Sequence, residues 1–380
     1  MTTAMTYADL FREAAIRKLV ESETLFHEGD HLRGSDGMSR AEFMELPVDE
    51  RVQQVMKDVD ANAAWKPALR VEIPKGNGKE GTRGISYATV LDSLRLKLLS
   101  DWLRNYAETV LSPVAVGYRQ GKAMCGTIRG AVRSMRARKL YMVSVTDVRG
   151  FFDHVGWRHL DRVIERLPAD GEIKRMLRAA VRIEVHDRNE GVRIPRAAGT
   201  PQGLATSPVL ANLVLSELDR ALGRYVHPRG GVVLRYADDF LIAMGTVEEA
   251  TAAQRILARE LADLGLSIKE GTGDVVDLRA HTEGVRWLGV ELRVVHGVLA
   301  TRVPHGTIAG KAEELRAKLL TGVLSPEGVE DALERLYRYF THLTRKEEAR
   351  RAIKSIEESV IDVASLRRAV YRDPRRQNRA

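Results

Sequence analysis

Apolar positions along the chain recur at two periods. Leu10, Phe11, Ala14, Ala15, Ile16 and Leu19 return at helical spacing, so residues 7–22 predict a helix. Residues 27–45 are rich in glycine and charge and predict loop and turn. Residues 69–87 predict two strands joined by the tip Pro74-Lys75-Gly76-Asn77-Gly78-Lys79-Glu80-Gly81-Thr82-Arg83-Gly84, whose glycines suit a hairpin. Helical spacing follows over 88–111 and 123–138. In the middle the periods alternate. Leu140 to Val145 predicts a strand that ends at Asp147, Trp157 to Leu167 a helix, and Ser207 to Leu222 another. Pro208 stands in the first turn of that last helix, where its missing N–H does no harm. The run Val232 to Met244 is apolar on both sides of Tyr236-Ala237-Asp238-Asp239 and predicts a buried hairpin. Residues 247–264 predict a helix and Trp287 to Leu292 a strand. After about residue 304 the pattern is helical over Lys311–Leu320, Pro326–Leu343 and Lys346–Val370, before a basic tail over 371–380. The expectation is a small α/β sheet packed on helices.

Composition bounds this picture. With 380 residues, 44% of them apolar, the chain has material for two or three subdomains. A net charge of +8 fits an anionic partner without naming it. The one cysteine, Cys125, excludes an intrachain disulfide framework and a Cys-based zinc site. No run approaches the ~20 apolar residues of a membrane span. Residues 1–9 lack the basic and apolar regions of a signal peptide, so a cytoplasmic protein is expected.

The chemistry centres on Asp238 and Asp239. Two adjacent carboxylates at the tip of a buried hairpin repel each other, and burial penalises both. A divalent cation relieves both costs, and oxygen-only ligands favour Mg2+, with Mn2+ as its substitute. Asp147 ends an apolar strand, where functional residues of open α/β sheets gather. Alone it would suit a helix cap or a turn. With the pair it completes the carboxylate set of a two-metal site.

Asp147-Val148-Arg149-Gly150-Phe151-Phe152, then Gly199-Thr200-Pro201-Gln202-Gly203-Leu204-Ala205-Thr206-Ser207-Pro208, then Tyr236-Ala237-Asp238-Asp239, resemble motifs A, B and C of reverse transcriptases, in that order. Ile73-Pro74-Lys75 with Arg83 resembles the fingers hairpin, Gly117-Tyr118-Arg119-Gln120-Gly121-Lys122 the bacterial segment before motif A, and Trp287-Leu288-Gly289-Val290 the primer-grip region. The resemblance covers roughly residues 70–295. It implies an α/β (α+β) right-hand polymerase with an antiparallel palm sheet. Its expected parts are a helical extension over 1–68, fingers over 69–139, palm over 140–303 with a fingers insertion near 168–198, and helical thumb and tail over 304–380.

The same resemblance implies roles for residues. Asp147, Asp238 and Asp239 would be catalytic and, with Val148, would hold the metal ions. Lys75, Arg83, Phe152, Gln202 and Gly203 would meet the nucleotide, and Tyr236, Trp287, Leu288 and Gly289 primer and template. Phe152, five residues after Asp147, stands where the family carries an aromatic gate against the ribose 2′-OH. Lys269 lies about three positions earlier than the family's motif D lysine. Thr206 or Ser207 is the expected cap of the helix after motif B.

With a single cysteine and no room for an RNase H domain in these 380 residues, neither a complete mobile-intron protein nor a retroviral-type enzyme is expected. The Val-Thr-Gly triplet of retron thumbs is absent. What remains is a stand-alone bacterial enzyme, group II-intron-like or defence-associated, and anti-phage defence with a noncoding RNA template follows by elimination. Its expected partners are RNA template, DNA product or primer and dNTPs, with self-association open. Two other functions stay open: a template-independent or protein-primed DNA polymerase on the same palm, and a non-catalytic RNA-binding protein. Arg345, Lys346, Arg350, Arg351 and Lys354 either track a duplex backbone or form a solvated face laced with Glu347, Glu348 and Glu357.

Overall fold

The computed structural model describes residues 4–22, 32–74, 81–321, 323–325, 328–343 and 349–360. The strands are β1 (Ala68–Pro74), β2 (Thr82–Tyr87), β3 (Met142–Asp147), β4 (Val185–Asp187), β5 (Arg193–Ile194) and β6 (Val232–Tyr236). They continue with β7 (Asp239–Met244), β8 (Val275–Asp277), β9 (Val285–Trp287), β10 (Val290–Val295) and β11 (Val298–Arg302). The chain divides into two compact units.

The first unit comprises Met1–Leu10, Leu96–Ile183 and Pro195–Arg302. Its main sheet has the order β6-β7-β3-β8, and every pair in it is antiparallel. Strand β7 lies between β6 and β3, and Phe240 to Met244 are all 0% exposed. Burial on both faces explains why this strand reads as an unbroken apolar run rather than an alternation. On β3, the buried hydroxyls of Ser144 and Thr146 both accept from Gln254 on the helix Val247–Asp263. That network sets the helix against the sheet without leaving the hydroxyls orphaned. A second, three-stranded sheet has the order β11-β10-β9.

The second unit comprises Phe11–Arg95, Glu184–Ile194 and Val303–Ala380. Its sheet has the order β2-β1-β4-β5, with β1 antiparallel to β2 and parallel to β4. The hairpin tip, residues 75–80, lies outside the described residues. Toward the C-terminus, the helices His305–Thr321 and Val329–Leu343 and the helical residues 349–360 bury Leu315, Leu319, Phe340 and Ile356 among one another. Among the described residues no helix is long and apolar enough to cross a membrane.

Four sequence expectations are corrected. Residues 27–45 are not all loop: Arg40–Glu45 is a helix, started by a capping box in which Ser39 accepts from the Glu42 N–H and Glu42 accepts from the Ser39 N–H. The helix expected over 7–22 breaks at Phe11-Arg12 into Tyr7–Leu10 and Glu13–Val20. The chain before the break is held by Pro168–Asp170: the Met5 N–H donates to Pro168 O (2.9 Å) and the Tyr7 N–H to the Asp170 carboxylate (2.5 Å). Helix 207–222 is two helices, Ser207–Val214 and Ser216–Val226. Trp287 to Leu292 is a hairpin, because Leu288 (φ +50°) and Gly289 (φ +79°) turn the chain between β9 and β10. Positive φ at both central residues matches the right-handed strand twist.

Candidate active site

Two strand ends bring the carboxylates together. Antiparallel pairing of β3 with β7 sets Asp147 directly opposite Asp239, and pairing of β6 with β7 sets Tyr236 opposite Asp239. Ala237 and Asp238 are the two turn residues between them. Directly opposed residues share a sheet face with Cβ atoms about 4.5–5.5 Å apart, and like charges there repel. The Val148 N–H donates to Asp238 O (3.2 Å), so the chain just past Asp147 is tied to the turn itself. Ala237 adopts φ +56°, a left-handed conformation that costs an alanine about 1–2 kcal/mol.

The local counter-charge is Lys269. Its N–H donates to Asp147 O (2.8 Å) and its ammonium stands 3.6 Å from Asp147 Oδ2. Its displaced position in the sequence is therefore no bar to reaching the carboxylates, because Ile268 bridges Val148 and carries the next residue alongside Asp147. Among the described residues, no three His, Cys, Asp or Glu side chains close into a preformed metal cage. The fit to a hard divalent cation lies instead in the donors: three carboxylates, two facing each other in register.

Motifs A and B are joined by backbone. Gly150 (φ +51°) opens the short helix Phe151–His154. Both phenylalanines are buried, Phe151 at 1% and Phe152 at 8% exposure, with ring centroids 5.4 Å apart. The alternation of one ring inside and one outside is thus absent. The Thr200 N–H donates to Phe152 O (2.8 Å), and a Cβ on Gly199 would lie 2.4 Å from that same carbonyl. Gly199 therefore permits a contact that no other residue would. Gln202 is half-buried, and the exposed Gly203 takes φ +115°. Thr206 holds the expected N-cap position, but without a side-chain cap bond. Ser207 Oγ instead donates to Pro201 O (2.7 Å) and meets Thr200 Oγ1 (2.7 Å), so its hydroxyl closes the motif B loop.

The remaining expected residues are spread more widely. Tyr236 is half-buried, its phenol pushed above the ordinary value by burial, with its ring 5.9 Å from that of Tyr118. Trp287 is 1% exposed and its indole N–H finds no hydrogen-bond partner among the described residues. Trp287, Leu288 and Gly289 belong to the three-stranded sheet, apart from the strands that carry the aspartates. In the second unit, Arg83 pairs with Glu314 (3.2 Å), which also meets Lys311 (2.9 Å) and Lys318 (3.6 Å). Arg83 is thus already engaged by a carboxylate. Lys75, Arg345, Lys346, Glu347, Glu348 and the tail lie outside the described residues.

Sequence reading passed over Arg235, Asp219 and Asn212, which are buried directly behind the aspartate turn. The signal was present: an arginine inside the apolar strand Val232-Val233-Leu234-Arg235-Tyr236 must have a partner if it faces the core.

Comparison with known proteins finds relatives of this chain. Protein YkfC of Escherichia coli (strain K12) is 26% identical over 220 residues, covering 54% of this chain and 53% of that protein. The retron Ec86 reverse transcriptase of Escherichia coli is 29% identical over 119 residues, 31% of this chain and 34% of that one. The group II intron-encoded protein LtrA of Lactococcus lactis subsp. cremoris is 23% identical over 173 residues, 45% of this chain and 28% of that one. The chain spans about half or less of the length of these relatives. The fold class is the expected one, a mixed α/β chain of the right-hand polymerase type with an antiparallel sheet. Residues 73–292, more than half of the chain, match the family described as reverse transcriptase (RNA-dependent DNA polymerase), and the protein belongs to that family.

Proposed function

We propose that the chain is an RNA-directed DNA polymerase that extends a 3′ hydroxyl with dNTPs at Asp147, Asp238 and Asp239. The observation that carries this reading is the β3–β7 register, which sets Asp147 opposite Asp239 beside the Asp238 turn in a chain of this family. Reverse transcriptases generally use divalent metal ions. Here Asp147, Asp238, Asp239 and the main chain at Val148 would hold two Mg2+, or Mn2+ in its place. Bound there, the ions would lower the pKa of the primer hydroxyl and neutralise charge on the departing pyrophosphate.

The protein's own groups do the rest. Lys269 offsets negative charge at Asp147 while the site waits for substrate. Phe152 closes the space under the sugar and favours dNTPs, and Gln202 with Gly203 lies against the base pair being formed. Lys75 and Arg83 take the triphosphate, Arg83 exchanging Glu314 for phosphate oxygens. Tyr236 and the Trp287-Leu288-Gly289 turn guide the primer end. In this reading residues 69–139 serve as fingers, 140–303 as palm and 304–380 as thumb. In the cell we assign the enzyme to anti-phage defence, with a noncoding RNA as template, the reading that elimination supports.

The test is primer extension on RNA with the wild type and with Asp238→Ala/Asp239→Ala, followed by sequencing of the copurified RNA and the DNA made. Templated DNA from the wild type alone is expected. DNA joined to protein, or an untemplated tail, would favour the protein-primed or terminal-transfer enzyme. No incorporation with any primer would leave RNA binding alone. Phe152→Val should raise the rNTP/dNTP incorporation ratio at least about tenfold. An unchanged ratio removes the gate.

A further inference from the structure

Behind the aspartate turn lies a closed set of hydrogen bonds centred on Arg235. The guanidinium is fully buried, as is Asp219. Its Nε donates to Asp219 Oδ1 (2.7 Å) and its Nη2 to Asp219 Oδ2 (2.5 Å). Its Nη1 donates to Asn212 Oδ1 (2.8 Å) and to the carbonyl of Ala237 (2.9 Å). That carbonyl belongs to the peptide that leads into Asp238. Asn212 Nδ2 in turn donates to Gly117 O (2.8 Å), and the Val116 and Gly117 N–H groups donate to Arg235 O (2.8 and 3.3 Å). Gly117 fits only because it lacks a side chain: a Cβ there would lie 2.7 Å from Ala237 N.

These bonds converge on one conformation. Ala237 is held at φ +56°, where an alanine does not rest by itself. The peptide after it has its carbonyl fixed by a charged donor, and the peptide before it is backed by Gly117. Fixing both sides sets the direction in which Asp238 and Asp239 leave the turn. A buried ion pair is weak evidence for stability, since apolar residues of like volume often replace one without loss. A bidentate pair that ends on a functional turn has a different use: it makes a single geometry of that turn.

We infer that Arg235 is a positioning residue for the aspartate pair, with Asp219 and Asn212 orienting its guanidinium toward the Ala237 carbonyl. This inference rests on the proposed reading of Asp238 and Asp239 as metal-holding residues. It assigns Arg235 no contact with substrate.

The test uses the full chain and two variants. Arg235→Met/Asp219→Leu replaces the pair by apolar residues, which should keep the thermal midpoint close to wild type. Asn212→Leu keeps the Arg235–Asp219 pair and removes two bonds, from Arg235 Nη1 to Asn212 Oδ1 and from Asn212 Nδ2 to Gly117 O. On a primed RNA template, the double variant should lose about 10²-fold in kcat, the scale of a misplacement near 1 Å. Its KM for dNTP should stay within about threefold. Its affinity for Mn2+, read by electron paramagnetic resonance without nucleic acid, should fall as well. Asn212→Leu should show the same changes at about a tenth of the size. Folded variants with wild-type kcat and wild-type Mn2+ affinity would overturn the inference. Should the double variant not fold, an unchanged Asn212→Leu would do so. If the wild type makes no DNA, the functional reading fails, and the Mn2+ titration still decides the positioning role.

Discussion

Among the described residues, each unit of this protein buries one arginine–aspartate pair almost completely, and the two pairs do different things. Arg95 and Asp92 lie three residues apart on the helix Val90–Val110 and are at most 1% exposed. Arg95 also donates to Ala63 O (2.8 Å) and lies over the Trp65 ring, and Asp92 accepts from the Lys66 N–H (2.9 Å). This pair clamps residues 63–66 to the helix, and the Arg95 Nε is left without a hydrogen-bond partner among the described residues. Arg235 and Asp219 are sixteen residues apart, on a strand and a helix. All three nitrogens of Arg235 are engaged, and the chain of bonds ends on the aspartate turn. Identical charges at nearly identical burial thus hold a connection in one place and a geometry in the other. Removing one partner of either pair should cost about 3–5 kcal/mol, so stability does not distinguish them. Catalysis should.

The largest effect is expected at the end of the braced turn. Asp238→Ala/Asp239→Ala should lower dNTP incorporation by more than about 10³-fold with no loss in thermal midpoint, since two repelling charges are removed. Residual activity near wild type would disconnect the turn from the chemistry. Next comes the direct comparison. Arg95→Met/Asp92→Leu should keep kcat within about twofold, against the ~10² loss expected for the corresponding change at Arg235 and Asp219. Equal losses from both would mean that burying the charges, rather than aiming one of them, is what matters.

Glycines allow a finer cut. Gly117→Ala should push on Ala237 and reduce kcat about tenfold. Gly126→Ala, on the helix Met124–Arg138 where an added Cβ meets nothing within 4 Å, should leave kcat alone and stabilise by about 0.5–1 kcal/mol. Similar kcat values for the two variants would deny that the approach at Gly117 is functional.

The smallest effect concerns pH. Burial alone would raise the carboxyl pKa of Glu314, but Lys311, Lys318 and Arg83 outweigh it and hold the value below that of an ordinary glutamate. A lowered folded value means stability that is present above the unfolded value and lost as pH falls through the folded one. Acid unfolding of Glu314→Gln, followed by circular dichroism, should therefore lack part of that dependence. A slope identical to wild type would show that Glu314 does not contribute.

Much of the candidate site was legible in the chain. Asp147 at a strand end and Asp238-Asp239 between two apolar runs marked it, because apolar period and charge are local properties. The break at Phe11-Arg12 was not legible, since the chain before it is held by Pro168–Asp170. Nor was the hairpin inside Trp287–Leu292, where a leucine adopts a positive φ that composition disfavours. Lys269 looked misplaced by count, and the bridge from Ile268 to Val148 with the bond from its own N–H to Asp147 O brings it to Asp147.

The order of residues along the chain, then, carries the charges, the main apolar periods and the places of the three aspartates within them. These follow from side-chain chemistry and from periods of a few residues. Packing at a distance set Asp147 to face Asp239, Arg235 to pair with Asp219 and Asn212, and Arg83 to meet Glu314. Each of these joins positions distant in sequence, and packing fixes such partners through strand register and through the need of a buried charge to be paired.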